Sequence, residues 1–425
     1  FFKYLNFKSY TIFLAALLYG ASTTVIYFNF TWSYYGDLLI FLPLSLLGIE
    51  RFYREKKLGL FIFAIALTLF SNFYFSYYEA IAILAYVIYR FIFPHPRDIV
   101  SRKQQLWIIP VSVILSTLIG VWGFYTGVSS FLNNDRVSNP HFSINILTDF
   151  ARQKNFFSNG FYITVSMIAI IALLSFKLYK HYYYRFFAIA TWIMLIGSLT
   201  PYFDSMFNGF STPERRWVYI FALTTSGLIA LFIQHLAELS LKSYVISCVP
   251  VLVIMGIMAL IVTDQKISWM LICLILMLFI AFILFKKDLL QQRWVIFVIL
   301  CLFIVQQAFI LSNNHFNNVK NYESTVSAMH EADYKSPALA KKIDTINQQH
   351  DDDPLNRIDY MSQYGLNSPM LYHFDGTALY SSIFDGDILK YYDKTLQINM
   401  HTDKNSTYRL LSNRANLMAL WNVQD

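Results

Sequence analysis

The chain has 425 residues, of which 56% are hydrophobic, 18% aromatic and only 14% charged, with a mean hydropathy of +0.44. A soluble domain carries about 25% charged residues, so this composition excludes an ordinary soluble enzyme and indicates a polytopic membrane protein. The net charge of +7 is then no sign of a nucleic-acid partner, because Lys and Arg beside apolar runs chiefly set membrane orientation.

Apolar runs near the length of a membrane span occur at Tyr10–Phe28, Asp37–Gly48, Leu58–Phe73, Tyr77–Phe93, Leu106–Tyr125, Phe161–Phe176, Phe186–Thr200, Val218–Phe232, Tyr244–Val262, Ile267–Phe285 and Trp294–Leu311. The expected fold is therefore an α-helical polytopic membrane protein with about 11 transmembrane helices over residues 1–311. Counted from a cytoplasmic start, the inner loops hold 17 Lys and Arg and the outer loops six. The positive-inside rule thus predicts a multi-pass protein with a cytoplasmic N-terminus. The cysteines Cys248, Cys273 and Cys301 lie inside apolar runs and suggest neither a disulfide framework nor a metal site. After Leu311 the composition turns polar. A helix is expected near Ser336–Gln349, turns at Asp351–Pro354, Asn367–Pro369 and Asp375–Gly376, and strands among them. Residues 312–425 read as an extracytoplasmic mixed α/β domain, incomplete at its end. With no Met at its start, the chain reads as a piece of a longer protein.

Acids and arginines collect at the expected outer face. The loop Pro201–Trp217, between two spans, carries Asp204, Glu214 and the pair Arg215 and Arg216. Guanidinium forks bind phosphate oxygens bidentately and remain charged, so the pair suits an anionic ligand; generic contact with lipid phosphates is the plainer reading. Glu79 falls in the aromatic stretch Ser71–Ala80, beside Tyr78, where an ionised group is expensive and a functional role is the default reading. A buried partner for an arginine or a tyrosine hydroxyl is its alternative. Asp37 opens a short span as either a functional acid or a helix N-cap. In the loop Gly127–Gly160, Asp149 and Arg152 are three apart and would pair on a helical turn, which suits an interfacial segment. The nine histidines show no His-x₃-His or Glu-x-x-His spacing, so no helix-borne metal site is expected. No P-loop, Gly-x-Ser-x-Gly or dinucleotide fingerprint is present.

Asp37–Glu55 with Leu42–Glu50, the stretch Ser71–Tyr78, Asn208–Trp217, and the late Leu379–Ser382 with Arg414 and Trp421 resemble the YfhO family of bacterial membrane proteins over nearly the whole chain. The resemblance implies a GT-C-like, multi-span glycosyltransferase. Such an enzyme takes a sugar from a polyprenyl-phosphate donor and adds it to a cell-wall polymer, such as lipoteichoic or wall teichoic acid, on the outer face of the bilayer. Arg215 or Arg216 would then hold the donor phosphate, an outer acid would serve as general base on the acceptor hydroxyl, and Asp204, Glu214 and Tyr78 would support them. GT-C enzymes usually carry the principal acid in the first outer loop, which the family pattern puts upstream of this chain. Asp37 and Glu79 are therefore expected as supporting or substitute acids. No cofactor is assigned, and a divalent metal is left open. The alternatives are a transporter or flippase of lipid-linked sugars and a non-catalytic membrane scaffold. The almost wholly apolar spans between Tyr244 and Leu311, broken by Gln306 and Gln307, weigh against a polar pathway.

Overall fold

The computed structural model describes residues 1–22, 24–25, 28–29, 35–133, 167–210, 213–261, a few positions between 275 and 287, 336–353, 355–360, 367–377, 386–398 and 414–425. The runs Ile267–Phe285 and Trp294–Leu311, the Asp135–Arg136 and Asp149–Arg152 pairs, and the Leu379–Ser382 motif lie wholly or largely outside these residues. The chain divides into two compact units, Phe1–Phe124 with Phe142–Asn318, and Tyr125–His141 with Val319–Asp425.

The first unit is built of helices α1 (Ser9–Gly20), α2 (Leu38–Glu55), α3 (Gly59–Ser71), α4 (Phe73–Ile92), α5 (Arg102–Ile119), α6 (Val121–Leu132, which runs on into the second unit), α7 (Met167–Leu174), α8 (Tyr182–Gly197), the short α9 (Pro201–Phe207), α10 (Val218–His235) and α11 (Leu241–Ile261). Helix starts are set by side chains where the sequence supplies them. Asn72 accepts from the Phe75 amide, Ser101 and Gln104 form a capping box, and Thr200 accepts from the Tyr202 amide ahead of Pro201 at the first turn. Among the described residues, two helices (Phe73–Ile92 and Val218–Glu238) are long and apolar enough to cross a membrane, or up to four if each bent pair is one span. The bent pairs are α5 with α6, at 84°, and α8 with α9, at 113°. The described residues thus carry a helical membrane architecture with two to four such spans rather than the full set of eleven expected runs.

Helix α10 is the hub of this unit. Its apolar window is 72% buried, and it packs against α1, α7 and α8. Helix α5 is its opposite: Leu106, Trp107, Val111, Ile114, Leu118 and Ile119 are all exposed. So large an exposed apolar face is of the kind that contacts a membrane or another apolar surface. Helices α2 and α3 cross closely at Gly48, where a Cβ would come within 2.5 Å of the Phe61 backbone.

The second unit contains α12 (Pro337–Gln349), α13 (Ser368–Tyr372), α14 (Gly386–Lys390), a π-turn at Tyr391–Thr395 and α15 (Ala415–Leu420). The expected strands do not form a sheet among the described residues, which contain two isolated parallel bridges, Arg357 with Val423 and Ile358 with Gly376. The reason is local. The helix α12 is capped by Ser336 and started by Pro337, and the apolar residues that follow gather into two small clusters, one around Ile343, Ile358 and Phe374 and one around Tyr392, Leu396, Ile398 and Leu417. Tyr125–His141 also belongs to this unit, and the Gly386 amide donates to the Asn133 carbonyl at 2.9 Å.

Candidate functional site

The C-terminal ends of α2 and α4 meet through Glu50 and Arg90, so their N-terminal ends, with Asp37 and Phe73, lie at the opposite end of the bundle. Helix α8 ends at the same place and delivers the segment 201–217, whose Asn208 accepts from Tyr74. Asp37, the start of α4 and the loop 201–217 therefore lie at one end of the first unit.

Within that segment three residues form a closed knot. The Arg215 Nε donates to Asp204 Oδ2 at 3.0 Å, the Trp217 Nε1 donates to Asp204 Oδ1 at 2.8 Å, and a terminal Arg215 nitrogen donates to the Ser198 carbonyl at 3.1 Å. Asp204, Arg215 and Trp217 are all buried. Thr200, Pro201 and the helical turn behind them aim Asp204 inward, and Trp217 stacks on Phe207 with ring centroids 5.8 Å apart. A buried ion pair is tolerable only when its remaining valences are filled, and here two N–H donors from Arg215, the indole and a backbone carbonyl fill them. Arg215 thus holds the loop together.

Arg216 is placed differently. Its side chain is 24% exposed, its Nε lies 3.6 Å from Glu214 Oε2, and its guanidinium sits 5.3 Å from the centroid of the Tyr74 ring. The Tyr74 and Tyr78 hydroxyls are 2.8 Å apart. Tyr78 in turn packs on Phe75 and Phe207 at 4.9 and 5.7 Å, and Tyr35 packs on Phe75 at 4.5 Å. Arg216 therefore tops an aromatic column running from α4 through α9 to Trp217. A partly exposed guanidinium over aromatic faces, with a partly exposed carboxylate beside it, can take a phosphate in bidentate fashion by exchanging its acidic neighbour.

The two sequence-selected acids have unlike settings. Asp37 occupies the N-cap position of α2, but its side chain makes no capping bond and is exposed. Glu79 is buried in α4 and accepts from Ser45 of α2 and Thr68 of α3, so it binds three helices at one point. Among the described residues it forms no ion pair, and its partners are hydroxyls from Ser and Thr rather than an arginine or a tyrosine. The structure brings Asp204 and Arg215 together, and separately joins Arg216, Glu214, Tyr74 and Tyr78; it links neither Asp37 nor Glu79 to them by a hydrogen bond.

Two groupings at the other end went unanticipated. Glu50 and Arg90, each fully buried, pair at 3.1 Å; Arg54 reaches Glu50 at 3.2 Å and Arg90 also reaches Asp98. The Glu50 carboxylate further accepts from Tyr86 and from Tyr183, the latter at 2.8 Å. An acid just past the run Asp37–Gly48 and an arginine near the end of the run Tyr77–Phe93 were the available signal. The second grouping is His181, His235 and Glu238. His235-x-x-Glu238 is the reverse of the spacing sought in the sequence, and His181 comes from another helix, so no one-helix pattern reveals it.

The family described as "Bacterial membrane protein YfhO" matches residues 1–425. The Bacillus subtilis (strain 168) protein named "Uncharacterized protein YfhO" is 32% identical over 436 residues, covering 99% of this chain and 48% of that protein. The chain thus spans about half the length of the curated relative it matches. No solved structure matches. A match over every residue, together with a relative of this identity and an architecture of apolar helices, shows that the chain belongs to the YfhO family of bacterial membrane proteins.

Proposed function

We propose that this chain is the membrane portion of a glycosyltransferase that moves a sugar from a polyprenyl-phosphate donor onto a cell-wall polymer such as teichoic acid. The observation that carries the reading is the division of labour between adjacent arginines. Arg215 is consumed in the Asp204–Trp217 knot, which fixes the loop so that Arg216 stands, partly exposed, over Tyr74. In this reading Arg216 neutralises the departing polyprenyl phosphate, the tyrosine column carries the first isoprene units or the sugar face, and Asp37 accepts the proton of the acceptor hydroxyl. The donor enters from the bilayer, and the reaction takes place on the extracytoplasmic side, as the distribution of Lys and Arg implies.

Membranes containing the full-length protein, supplied with radiolabelled polyprenyl-phosphate sugar and crude cell-wall polymer, test the reading. Transfer is expected, with a loss of roughly 10²-fold or more in Arg216→Ala, the scale for removing one preorganised charge-stabilising donor. Unchanged transfer in that variant removes the site assignment. A second reading, translocation of a lipid-linked sugar, is favoured by Glu79, a carboxylate held between three apolar helices. Movement of lipid-linked sugar across the membrane without glycoside formation, abolished in Glu79→Gln, would support it.

A further inference from the structure

We infer that His181, His235 and Glu238 form a binding site for a divalent transition metal, Zn²⁺ by the chemistry of its donors. Their ligand atoms all lie within 4.8 Å of one another, the one such cluster among the described residues. His181 Nε2 lies 2.9 Å from Glu238 Oε2, and His235 Nδ1 lies 2.7 Å from Glu238 Oε1. The two imidazole rings stack with centroids 3.8 Å apart and planes 19° from parallel, so both turn a nitrogen toward one carboxylate.

The backbone fixes this convergence. His181 is the N-cap residue of α8, with its carbonyl accepting from the Arg185 amide at 2.9 Å. His235 ends α10, and Glu238 lies in the single 3₁₀ turn that follows, closed by the Leu239 amide on the Leu236 carbonyl at 3.1 Å. The ligands therefore come from the adjoining ends of two packed helices, α8 and α10.

Two neutral imidazoles and a carboxylate are the N₂O donor set of three-ligand zinc sites. At metal–ligand lengths of 2.0–2.1 Å, tetrahedral ligand atoms stand ~3.3 Å apart. The two nitrogen–oxygen separations, 2.9 and 2.7 Å, open toward that value by roughly half an ångström, with the metal replacing the protons shared between the rings and the acid. Side-chain exposures of 30% for His181, 18% for His235 and 37% for Glu238 leave room for the shift and for water as a fourth ligand. Lys180 Nζ lies 2.7 Å from Glu238 Oε2, but the Lys180 side chain is 61% exposed and can turn out to solvent as the metal arrives. The far ring nitrogen of His235 stands 3.5 Å from the Gln234 amide nitrogen, and the Gln234 oxygen accepts from the Lys8 amide and the Thr11 hydroxyl. The site also joins the helix end to the start of α1. It sits at the end of α8 remote from Ser198 and Arg215, away from the proposed donor site.

The test uses the full chain, purified without a polyhistidine tag in detergent and stripped with chelator. Zn²⁺ is titrated by calorimetry, and Co²⁺ is followed by its ligand-field absorption. Binding of one metal ion per chain is expected, with a tetrahedral-type Co²⁺ spectrum and a rise in the thermal midpoint on adding Zn²⁺. Both should vanish in His181→Gln and in Glu238→Gln, each of which keeps a polar group at the position and should retain the helical circular-dichroism signal of the parent. Absence of saturable binding in the well-folded parent overturns the site. Binding that persists undiminished in His181→Gln and His235→Gln overturns it equally.

Discussion

Arg215 and Arg216 are neighbours in sequence and opposite in role. Arg215 is one half of a buried ion pair, and removing one partner of such a pair strands the other charge at a cost of roughly 3–5 kcal/mol. Arg215→Ala is therefore expected to lower the thermal midpoint of the purified protein sharply, and Asp204→Ala to do so to a similar extent, since Asp204 also holds the Trp217 indole. Arg216 is partly exposed, and its interactions include a cation–π contact with Tyr74 and a loose carboxylate neighbour, of a kind worth about 1 kcal/mol together at such a site. Arg216→Ala should leave the midpoint nearly in place while weakening any phosphate-bearing ligand. Equal destabilisation by the two variants would refute this division. Glu79 follows a third logic. Ser45 and Thr68 donate to it, and a carboxamide can accept one of those bonds and donate toward the other hydroxyl. Glu79→Gln should thus cost on the order of 1 kcal/mol, whereas Glu79→Leu leaves the Ser45 hydroxyl without its acceptor and costs more, as differential scanning of the two variants would show.

Helix contacts decide which glycines matter. The close crossing of α2 and α3 exists because Gly48 has no side chain, the Phe61 backbone occupying the space a Cβ would need. Gly48→Ala must push the two helices apart, an overpacking cost of typically 1–3 kcal/mol. Gly59, at the first turn of α3, has nothing within 4 Å of its Cβ position, so Gly59→Ala should be neutral or stabilising by up to about 1 kcal/mol through the unfolded chain. Thermal midpoints of the two single variants check the pair, and a harmless Gly48→Ala would mean that the crossing is looser than described. The helices themselves were legible from apolar runs, but their ends were not. The run Asp37–Gly48 stops where Glu50 begins a charged stretch, yet α2 continues to Glu55, with Glu50 paired to Arg90 of another helix and to Arg54 one turn on, where hydropathy alone reads the end of a span. Leu106–Tyr125 reads as one run but bends by 84° after Ile119, a turn that no apolar count records. The loop 201–217 was recognisable from its charges. Which of its arginines is sealed inward depends on Trp217 and Ser198 meeting Asp204 and Arg215 in three dimensions, and no spacing encodes that.

At the scale of the first unit, charge is segregated between two ends joined by apolar helices. One end holds Asp37 and the 201–217 loop; the other holds Glu50, Arg54, Arg90, Asp98 and the histidine–acid cluster. That second end is sewn together from α2, α4 and α8 through Tyr183 and Tyr182, and His95 lies against it, its ring centroid 5.3 Å from Tyr183 and 4.8 Å from Tyr182. His95 Nδ1 accepts from the Arg97 amide at 3.1 Å, and its own amide donates to Asp98. Burial first, and the Arg90 and Arg54 guanidiniums next, push the imidazole down to about 4 from its usual 6.5. A folded chain that refuses a proton the unfolded chain accepts loses stability as pH falls through 6.5, and the loss is complete below about 4. Between those values the unfolded state binds more protons, so the midpoint should decline steadily as the medium is acidified from neutrality. In His95→Gln the amide keeps a polar group over the tyrosine faces but cannot titrate, so its midpoint should fall less across the same interval. Thermal scans of parent and variant at pH 7, 6 and 5 decide the matter. Parallel declines would show that another group governs the acid sensitivity of this end of the bundle, whereas a flattened curve in the variant ties it to a single imidazole packed against the Glu50–Arg90 network.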